Sequence, residues 1–306
     1  MVRAGAGPTY DGVVEGSPGA HRTAAVTGAT GFVGRAVVRE LREHGWHVRA
    51  LVRDEGKARR VLPGTVELVR GDVLDDGTLD RLVSGCDAVV HLVGIIREGP
   101  GGQTFEKMHH EATRRVVAAG ERASRDAPIR HLQMSALGVR DGAETAYQRT
   151  KRAGEKAVEA SRLRWTVFRP SMIHGPDGEF TRLAAAWVRG QAAPFLFVPY
   201  FSPGWAPGRA GAPVAPVFVE DVARAFRAAL ERPAAEGRVY ELAGPETLAF
   251  DDMMRVFQKL VPGARRLPVV GLPAGVAACQ ARALGVLGLG WLLPFDEGMA
   301  RMAAEP

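Results

Sequence analysis

Cysteine is scarce in this sequence. Its 306 residues include only two, Cys86 and Cys279, and two distant thiols do not make a disulfide framework. We therefore expect a protein of the reducing cytoplasm. The first residues contain no apolar run of the kind found in signal peptides. Their Gly-, Ala- and Pro-rich composition predicts a disordered extension over residues 1–22.

Lysine and long apolar runs are scarce as well. Five of the 40 basic residues are lysine, and the basic residues are spread along the chain without an aromatic RNA-binding motif. The net charge of +6 and the pI near 9.7 suit a nucleic acid, an anionic cofactor or an anionic membrane surface. The spread of the basic residues and the lack of that motif lead us to predict no nucleic-acid partner. The apolar region 269–293 is interrupted at Gln280 and Arg282. The uninterrupted part after Arg282 is too short for a membrane-spanning helix, which needs about 20 residues. We expect this segment to pack on the core or a second copy, to bind a partner, or to lie in a membrane interface.

Glycines at a fixed spacing follow the first apolar segment. Residues 23–26 read as a short buried strand, Gly28, Gly31 and Gly34 come next, and residues 35–44 continue as a helix. A strand, a glycine turn and a helix in that order suit the pyrophosphate of a dinucleotide, which binds at the helix N-terminus. An ordinary strand-to-helix turn is the alternative, but the flanking elements favour the dinucleotide site.

Strands and helices alternate along the first half of the chain. With 46% apolar residues, the chain can bury one large α/β core. The spacing predicts a Rossmann-type, doubly wound parallel sheet in an NAD(P)-binding domain over residues 23–170, with ligands at the carboxyl ends of its strands. After the first strand we expect further strands over 46–53, 66–72, 87–94, 129–135 and 164–169, and helices around 79–83 and over 105–122.

The regular alternation of strands and helices ends after Pro170. Residues 171–306 are predicted to form a smaller substrate-side lobe, interwoven with the first domain and ending in the apolar segment. Its predicted elements are a helix over 180–189, a long aromatic loop over 195–216, a strand over 217–223 that leads into a helix through 230, a strand over 239–243 and a helix over 251–260.

The end of the second predicted strand bears on cofactor choice. Arg53 stands there, with Lys57 close behind, and a guanidinium at this place suits a 2′-phosphate, so NADP(H) is favoured. Asp54 supports the alternative, NAD(H), because a carboxylate there can accept from the ribose hydroxyls. Asp72, after the third strand, is expected either to contact the adenine amino group or to cap the helix around 79–83.

Tyr147 and Lys151 share a helical face because they are four residues apart. The lysine ammonium is expected to lower the pKa of the phenol, which then serves as acid or base. Ser135, at the end of the fifth strand, is expected to orient a substrate carbonyl. The alternative is that Tyr147 and Lys151 only bind the cofactor.

Together, the glycine segment 27–34, Ser135 and the Tyr147–Lys151 pair resemble the short-chain dehydrogenase/reductase superfamily, in its extended or atypical branch, over residues 23–260. Segments 91–96, 105–109 and 134–138 resemble the subgroup related to the NAD(P)H-binding accessory subunit of respiratory complex I. The resemblance implies a Rossmann fold, bound NADPH and, in some members, no demonstrated turnover. The residues expected to contact the cofactor are Thr27, Gly28, Thr30, Gly31, Phe32, Val33, Gly34, Arg53, Asp72, Val73, Leu92, Val93, Gly94, Tyr147, Lys151, Pro170 and Met172.

This sequence departs from the superfamily pattern at two places. His109 stands about where many members have an Asn that supports a proton relay, and the loop over 195–216 does not suit a sugar nucleotide. His91 is expected to pack at a strand end. His109 and His110 have no partner at metal-ligand spacing, so no metal is predicted.

These observations support three hypotheses. The first is an NADPH-dependent oxidoreductase that acts on a small or hydrophobic carbonyl or alcohol, with Ser135, Tyr147 and Lys151 catalytic. The second is a non-catalytic NADPH-binding accessory or assembly protein of a respiratory or quinone-synthesis complex, peripheral at the inner membrane face. The third is a nucleotide-sugar epimerase or dehydratase. A homo-oligomer is a further prediction.

Overall fold

The protein is organised around parallel strands. The computed structural model describes residues 22–99, 102–124, 128–202, 212–277 and 279. Its strands are β1 (Thr23–Thr27), β2 (His47–Val52), β3 (Glu67–Arg70), β4 (Ala88–His91), β5 (Arg130–Met134), β6 (Arg164–Pro170), β7 (Ile173–His174), β8 (Val198–Ser202), β9 (Pro213–Val214), β10 (Val217–Phe218), β11 (Arg238–Leu242), β12 (Leu248–Ala249) and β13 (Val269–Pro273).

Seven of these strands form one sheet in the order β3–β2–β1–β4–β5–β6–β11, and every neighbouring pair is parallel. The first six follow the strand order of a Rossmann fold, which confirms the predicted fold class. The carboxyl ends of β1, β4 and β5 meet at one edge, because Thr27 pairs with His91 and His91 with Gln133. Ligands bind at such an edge, where the strand order reverses.

Helices cover both faces of the sheet. They are α1 (Phe32–Glu43), α2 (Glu55–Val61), α3 (Asp76–Val83), α4 (Ala112–Ala123), α5 (Ala146–Glu159), α6 (Glu179–Val188), α7 (Val219–Glu231) and α8 (Phe250–Leu260), with a π-helical turn (Glu106–Glu111) before α4 and a 3-10 turn at Pro233–Ala235. α1 and α7 contact each other over one core cluster, around Val37 and Phe226. Residues of α3, α4 and α5 form the second cluster, around Leu82 and Val116.

A third apolar cluster defines the lobe. α6, α8, β8 and β13 enclose Trp187, Val198 and Met254. The chain after residue 170 also contributes β11 to the main sheet and α7 to its helical layer. No helix of the described ranges is long and apolar enough to cross a membrane.

Three predicted elements differ from the structure. The loop over 195–216 contains β8 and β9, because β8 pairs with β13, a partner distant in sequence. The strand over 217–223 ends at Phe218, and α7 begins at Val219 with Glu220 and Asp221 in its first turn, where acidic side chains favour a helix. Helix α1 begins at Phe32 rather than Arg35. The predictions for residues 1–21 and 280–306 lie outside the described residues.

Candidate active site

The glycine turn after β1 leaves no room for side chains. Gly28 has φ +75°, and a Cβ there would lie 2.9 Å from the carbonyl carbon of Leu92. A Cβ on Gly34 would lie 2.1 Å from the carbonyl oxygen of Gly28, so α1 packs directly against the turn. No side chain caps α1, and its first turn carries no acidic residue. Its free N–H groups and positive dipole end therefore suit an anionic group such as a pyrophosphate.

Several predicted cofactor residues have buried side chains. Val33 and Leu92 lie in the α1–α7 cluster and Val73 in the cluster on the other face. Phe32 packs its ring against the loop from Gly175 to Gly178. These residues can offer backbone atoms to a ligand. Pro170 has no backbone N–H, and its carbonyl oxygen already accepts from Leu137 N at 2.9 Å. Met172 packs against the lobe cluster.

Arg53 and Asp54 follow β2 and have different environments. Asp54 Oδ1 accepts from Lys57 N at 2.9 Å and caps α2, and that hydrogen bond lowers the pKa of the carboxyl. The carboxylate thus already has a partner at the helix N-terminus. Arg53 is exposed and has no hydrogen bond or ion pair with any described residue. The guanidinium of Arg53 is therefore available to an incoming phosphate.

Asp72 does not cap α3, contrary to one of its two predicted roles. Asp75 does so, accepting from Gly77 N at 3.0 Å and Thr78 N at 3.4 Å. Asp72 Oδ1 accepts from Leu74 N at 2.9 Å, which closes a local turn after β3. This leaves Oδ2 for a ligand, so the predicted adenine contact stays a prediction.

Ser135 lies just beyond β5, at the carboxyl edge of the sheet. Its backbone N–H donates to Phe168 O at 2.7 Å, which joins it to β6. The side chain is buried, and Ser135 Oγ has no hydrogen-bond partner in the part of the chain that the structure describes. A buried hydroxyl without a partner is costly unless a ligand or water satisfies it.

Tyr147 and Lys151 lie on α5, which Thr145 caps by accepting from Gln148 N at 3.2 Å. Lys151 is 6% exposed, and its Nζ donates to Met134 O at 3.3 Å, beside Ser135. A Cβ on Gly94 would lie 2.9 Å from that Nζ, so the absence of a side chain at Gly94 admits the lysine. The helix thus brings the Lys151 ammonium to the ends of β4 and β5.

Burial dominates the ionisation of this pair. It raises the pKa of Tyr147 to about 12, so the lowering that we expected from Lys151 is wrong. Burial also lowers the pKa of Lys151 to about 8, although the negative charge of Glu155 acts to raise it. Both shifts have one physical cause, because a low-dielectric site disfavours the charged form of either group. Near neutral pH, Tyr147 is a proton donor and Lys151 is mostly charged.

His109 joins the end of β4 to α5. Its Nε2 lies 2.9 Å from Ile95 O and its Nδ1 3.0 Å from Thr150 Oγ1, while its ring meets Tyr147 edge-on at 5.1 Å between centroids. Burial lowers the pKa of His109 to about 3, so the ring is neutral. The π-helical turn carries this residue, and such turns are frequent at functional sites.

One residue of the site escaped the sequence analysis. Glu155 is 1% exposed, and Arg169 donates to it through Nε at 2.9 Å and Nη2 at 2.7 Å. Arg152 donates to the same carboxylate at 3.1 Å. This ion-pair network fixes α5, and therefore Lys151 one turn earlier, against the end of β6. The four-residue spacing from Lys151 was the available signal.

The described residues contain no group of three or more His, Cys, Asp or Glu placed to hold a metal ion. They present instead a glycine turn, an uncapped helix N-terminus and a Ser–Tyr–Lys set at one sheet edge. The model of an NAD(P)H-binding protein family matches residues 28–187. The chain belongs to this NAD(P)H-binding family. Nicotinamide dinucleotide binding is thus a property of the family.

Relatives of known name agree with the resemblance to short-chain dehydrogenases/reductases. A ceramide reductase of Caulobacter vibrioides is 36% identical over 56% of this chain and 53% of its own length. NADH dehydrogenase (ubiquinone) 1 alpha subcomplex subunit 9 of Arabidopsis thaliana is 27% identical over 84% of this chain and 62% of its own length. A (4-alkanoyl-5-oxo-2,5-dihydrofuran-3-yl)methyl phosphate reductase of Streptomyces griseus is 32% identical over 84% and 80%. The chain therefore spans less than two thirds of the first two relatives.

Solved structures share the fold at lower identity. UDP-glucose 4-epimerase of Thermus thermophilus, solved with NAD, is 21% identical, with a TM-score of 0.65 over 82% of this chain and 86% of that chain. At this identity the likeness concerns the fold alone.

Proposed function

We propose that this member of the NAD(P)H-binding family is an NADPH-dependent reductase of carbonyl compounds. The observation that carries the proposal is a cluster at the carboxyl ends of β4 and β5. Lys151 Nζ contacts Met134 O beside Ser135, and the Tyr147 ring contacts the ring of His109, which is bonded to Ile95 after β4. The names of two relatives, reductases of ceramide and of an alkanoyl-furanone phosphate, support the reaction class.

The dinucleotide would bind with its pyrophosphate at the glycine turn and the N-terminus of α1. Arg53 would hold the 2′-phosphate, since its exposed guanidinium has no partner among the described residues. Lys151 would hold the nicotinamide ribose, and the bound cofactor would supply a hydride from the nicotinamide ring. Reductase chemistry thus draws on the cofactor for electrons and on the chain for orientation and protons.

The chain's own residues would act on the substrate carbonyl. Ser135 Oγ, which lacks a partner among the described residues, would donate to the carbonyl oxygen and orient it. Tyr147, with its pKa raised to about 12, is protonated at neutral pH and would give its proton to the same oxygen. The raised pKa favours reduction over oxidation near pH 7, because oxidation requires the phenolate.

An apolar substrate suits the approach to this site. Ile96 and Leu137, which follow β4 and β5, are 51% and 41% exposed. Apolar side chains at the mouth of a site favour an apolar substrate chain, since its burial removes both surfaces from water. We therefore expect aldehydes or ketones with a hydrocarbon chain to be better substrates than their short analogues.

Two experiments test the proposal. NADPH oxidation is followed with a series of aldehydes and ketones of increasing chain length, for the wild type and for Tyr147→Phe. Turnover that is lost in Tyr147→Phe, with the NADPH-induced thermal shift retained, supports the reductase. A variant that turns over as fast as the wild type would contradict the role of Tyr147.

The cofactor preference is tested with Arg53→Ala. A charge-assisted contact is worth roughly 1.5–3 kcal/mol, so the variant should lose about tenfold or more in affinity for NADPH and keep its affinity for NADH. Arg162→Ala, which removes an exposed arginine far from the glycine turn, is the matched control. Equal loss for both cofactors would refute the assignment of Arg53.

The similarity to the plant respiratory subunit favours a second candidate, an NADPH-binding accessory protein without turnover. In that case bound NADPH would stabilise the fold, by about 2.7 kcal/mol at a hundredfold excess over Kd. Thermal stabilisation by NADPH, with no turnover of any compound in the series and co-purification with a membrane complex, would favour this candidate.

A further inference from the structure

Two large apolar side chains project from the turn between α6 and β8. Phe195 is 54% exposed and Leu196 is 76% exposed. Phe195 has φ +64°, an uncommon conformation for a bulky residue. The turn is nevertheless defined, because Phe195 N donates to Ala192 O at 2.9 Å and Leu196 N donates to Pro194 O at 2.7 Å. The backbone thus presents both side chains to solvent.

The end of α8 lies against the same turn. Arg189 Nε donates to Pro262 O at 3.1 Å, and Arg265 N donates to Val188 O at 2.7 Å. Leu260, the last residue of α8, is 74% exposed. We call residues 189–197 and 259–266 together the lobe tip. It therefore carries Phe195, Leu196 and Leu260 as exposed apolar groups.

Acidic residues are missing from the lobe tip and from the chain on either side of it. The sequence contains no Asp or Glu over residues 180–202 or 253–277, whereas the whole chain has 34. The lobe tip carries Arg189, Lys259, Arg265 and Arg266, and none of these four forms an ion pair with a described residue. The nearby Arg255, in contrast, is paired with Asp251 and Asp252. The lobe tip is therefore both apolar and cationic.

We propose that the lobe tip docks on an anionic lipid surface. Apolar side chains beside several cations have the chemistry of an interfacial anchor, in which the apolar groups enter the headgroup boundary and the cations meet lipid phosphates. A second copy of the chain is a poorer occupant, because a symmetric contact would bring the same four cations together. This docking goes beyond the proposed reductase function and does not depend on it.

The lobe-tip cations and the exposed apolar side chains each contribute to the expected vesicle affinity. Each cation near an anionic membrane strengthens binding about fivefold. Arg265→Glu with Arg266→Glu should therefore weaken binding by about 25-fold or more, because repulsion replaces attraction. Leu196→Ser with Leu260→Ser should weaken it about tenfold or more at unchanged charge, since both apolar side chains then stay in water.

The test is co-sedimentation of the full chain with vesicles of seven parts phosphatidylcholine and three parts phosphatidylglycerol, and with vesicles of phosphatidylcholine alone. The matched charge control is Arg162→Glu with Arg224→Glu, which makes the same change in net charge at exposed positions outside the lobe. The matched apolar control is Val239→Ser, at an edge-strand residue that is 38% exposed. Thermal unfolding and the NADPH-induced shift establish that each variant is folded.

Binding to the anionic vesicles only, weakened by both lobe-tip variants and by neither control, supports the proposal. Equal weakening by Arg162→Glu with Arg224→Glu would overturn it in favour of an effect of net charge. No binding by a folded wild type would overturn it outright. Self-association that Leu196→Ser with Leu260→Ser abolishes, without vesicle binding, would overturn it in favour of a second copy. The NADPH-induced shift reports on the proposed function separately from all these outcomes.

Discussion

The buried lysine of the candidate site makes a quantitative prediction about cofactor affinity. Burial lowers the pKa of Lys151 to about 8 and raises that of Tyr147 to about 12. A titration between pH 7 and pH 9 therefore changes the charge of Lys151 and leaves Tyr147 protonated. If the ammonium holds the nicotinamide ribose, NADPH affinity must fall as Lys151 loses its proton.

The magnitude follows from that pKa. Roughly nine tenths of Lys151 is charged at pH 7 and roughly one tenth at pH 9, so the Kd for NADPH should rise about tenfold between them. Calorimetric titration at half-unit steps measures this rise. Lys151→Arg keeps the charge at every pH and should show a flat profile. A wild-type Kd that stays constant, or an equal rise in Lys151→Arg, would refute the role of the lysine charge.

Three further predictions concern the scaffold of the site. Gly34→Ala would place a methyl group 2.1 Å from the carbonyl oxygen of Gly28. It should therefore abolish the NADPH-induced thermal shift and lower the unfolding free energy by about 1–3 kcal/mol. The control Gly64→Ala, whose methyl group would have nothing within 4 Å, should change neither. Burial lowers the pKa of His131 to about 4, so between pH 7.5 and 5.5 the unfolded state binds a proton that the folded state does not. The unfolding free energy, measured by urea titration, should therefore fall by about 1.4 kcal/mol less in His131→Gln than in the wild type between pH 7.5 and pH 5.5. An equal fall in both proteins would contradict this prediction. Glu155→Gln leaves two arginines facing a neutral amide, and should lower the unfolding free energy by about 3 kcal/mol and move the midpoint of the NADPH pH profile downward; an unchanged midpoint would exclude a charge effect.

Local sequence patterns were sufficient wherever the chemistry depends on neighbours along the chain. The spacing of Gly28, Gly31 and Gly34 after an apolar segment predicted the turn between β1 and α1, because a tight turn and close helix packing require glycine at those positions. The four-residue spacing of Tyr147 and Lys151 predicted their common face on α5. The alternation of strands and helices predicted the parallel sheet.

Competition between neighbouring polar groups was harder to predict. Asp72 and Asp75 are both placed to cap α3, and the backbone geometry after β3 gives that role to Asp75. Likewise, Asp54 caps α2 through Oδ1, a contact that its place after the second predicted strand did not reveal. The path of the backbone after each strand therefore decides which side chain caps the next helix.

The sequence by itself determined the fold class and the glycine turn, since both are encoded in local spacings of apolar residues and glycines. The tertiary structure alone decided how the residues of the candidate site ionise and what surrounds them. The pKa of Tyr147 is raised rather than lowered because burial, which depends on the whole fold, outweighs the nearby lysine. Similarly, only folding brings residues 189–197 and 259–266 together, because they are far apart in the chain and meet through the hydrogen bonds of Arg189 and Arg265.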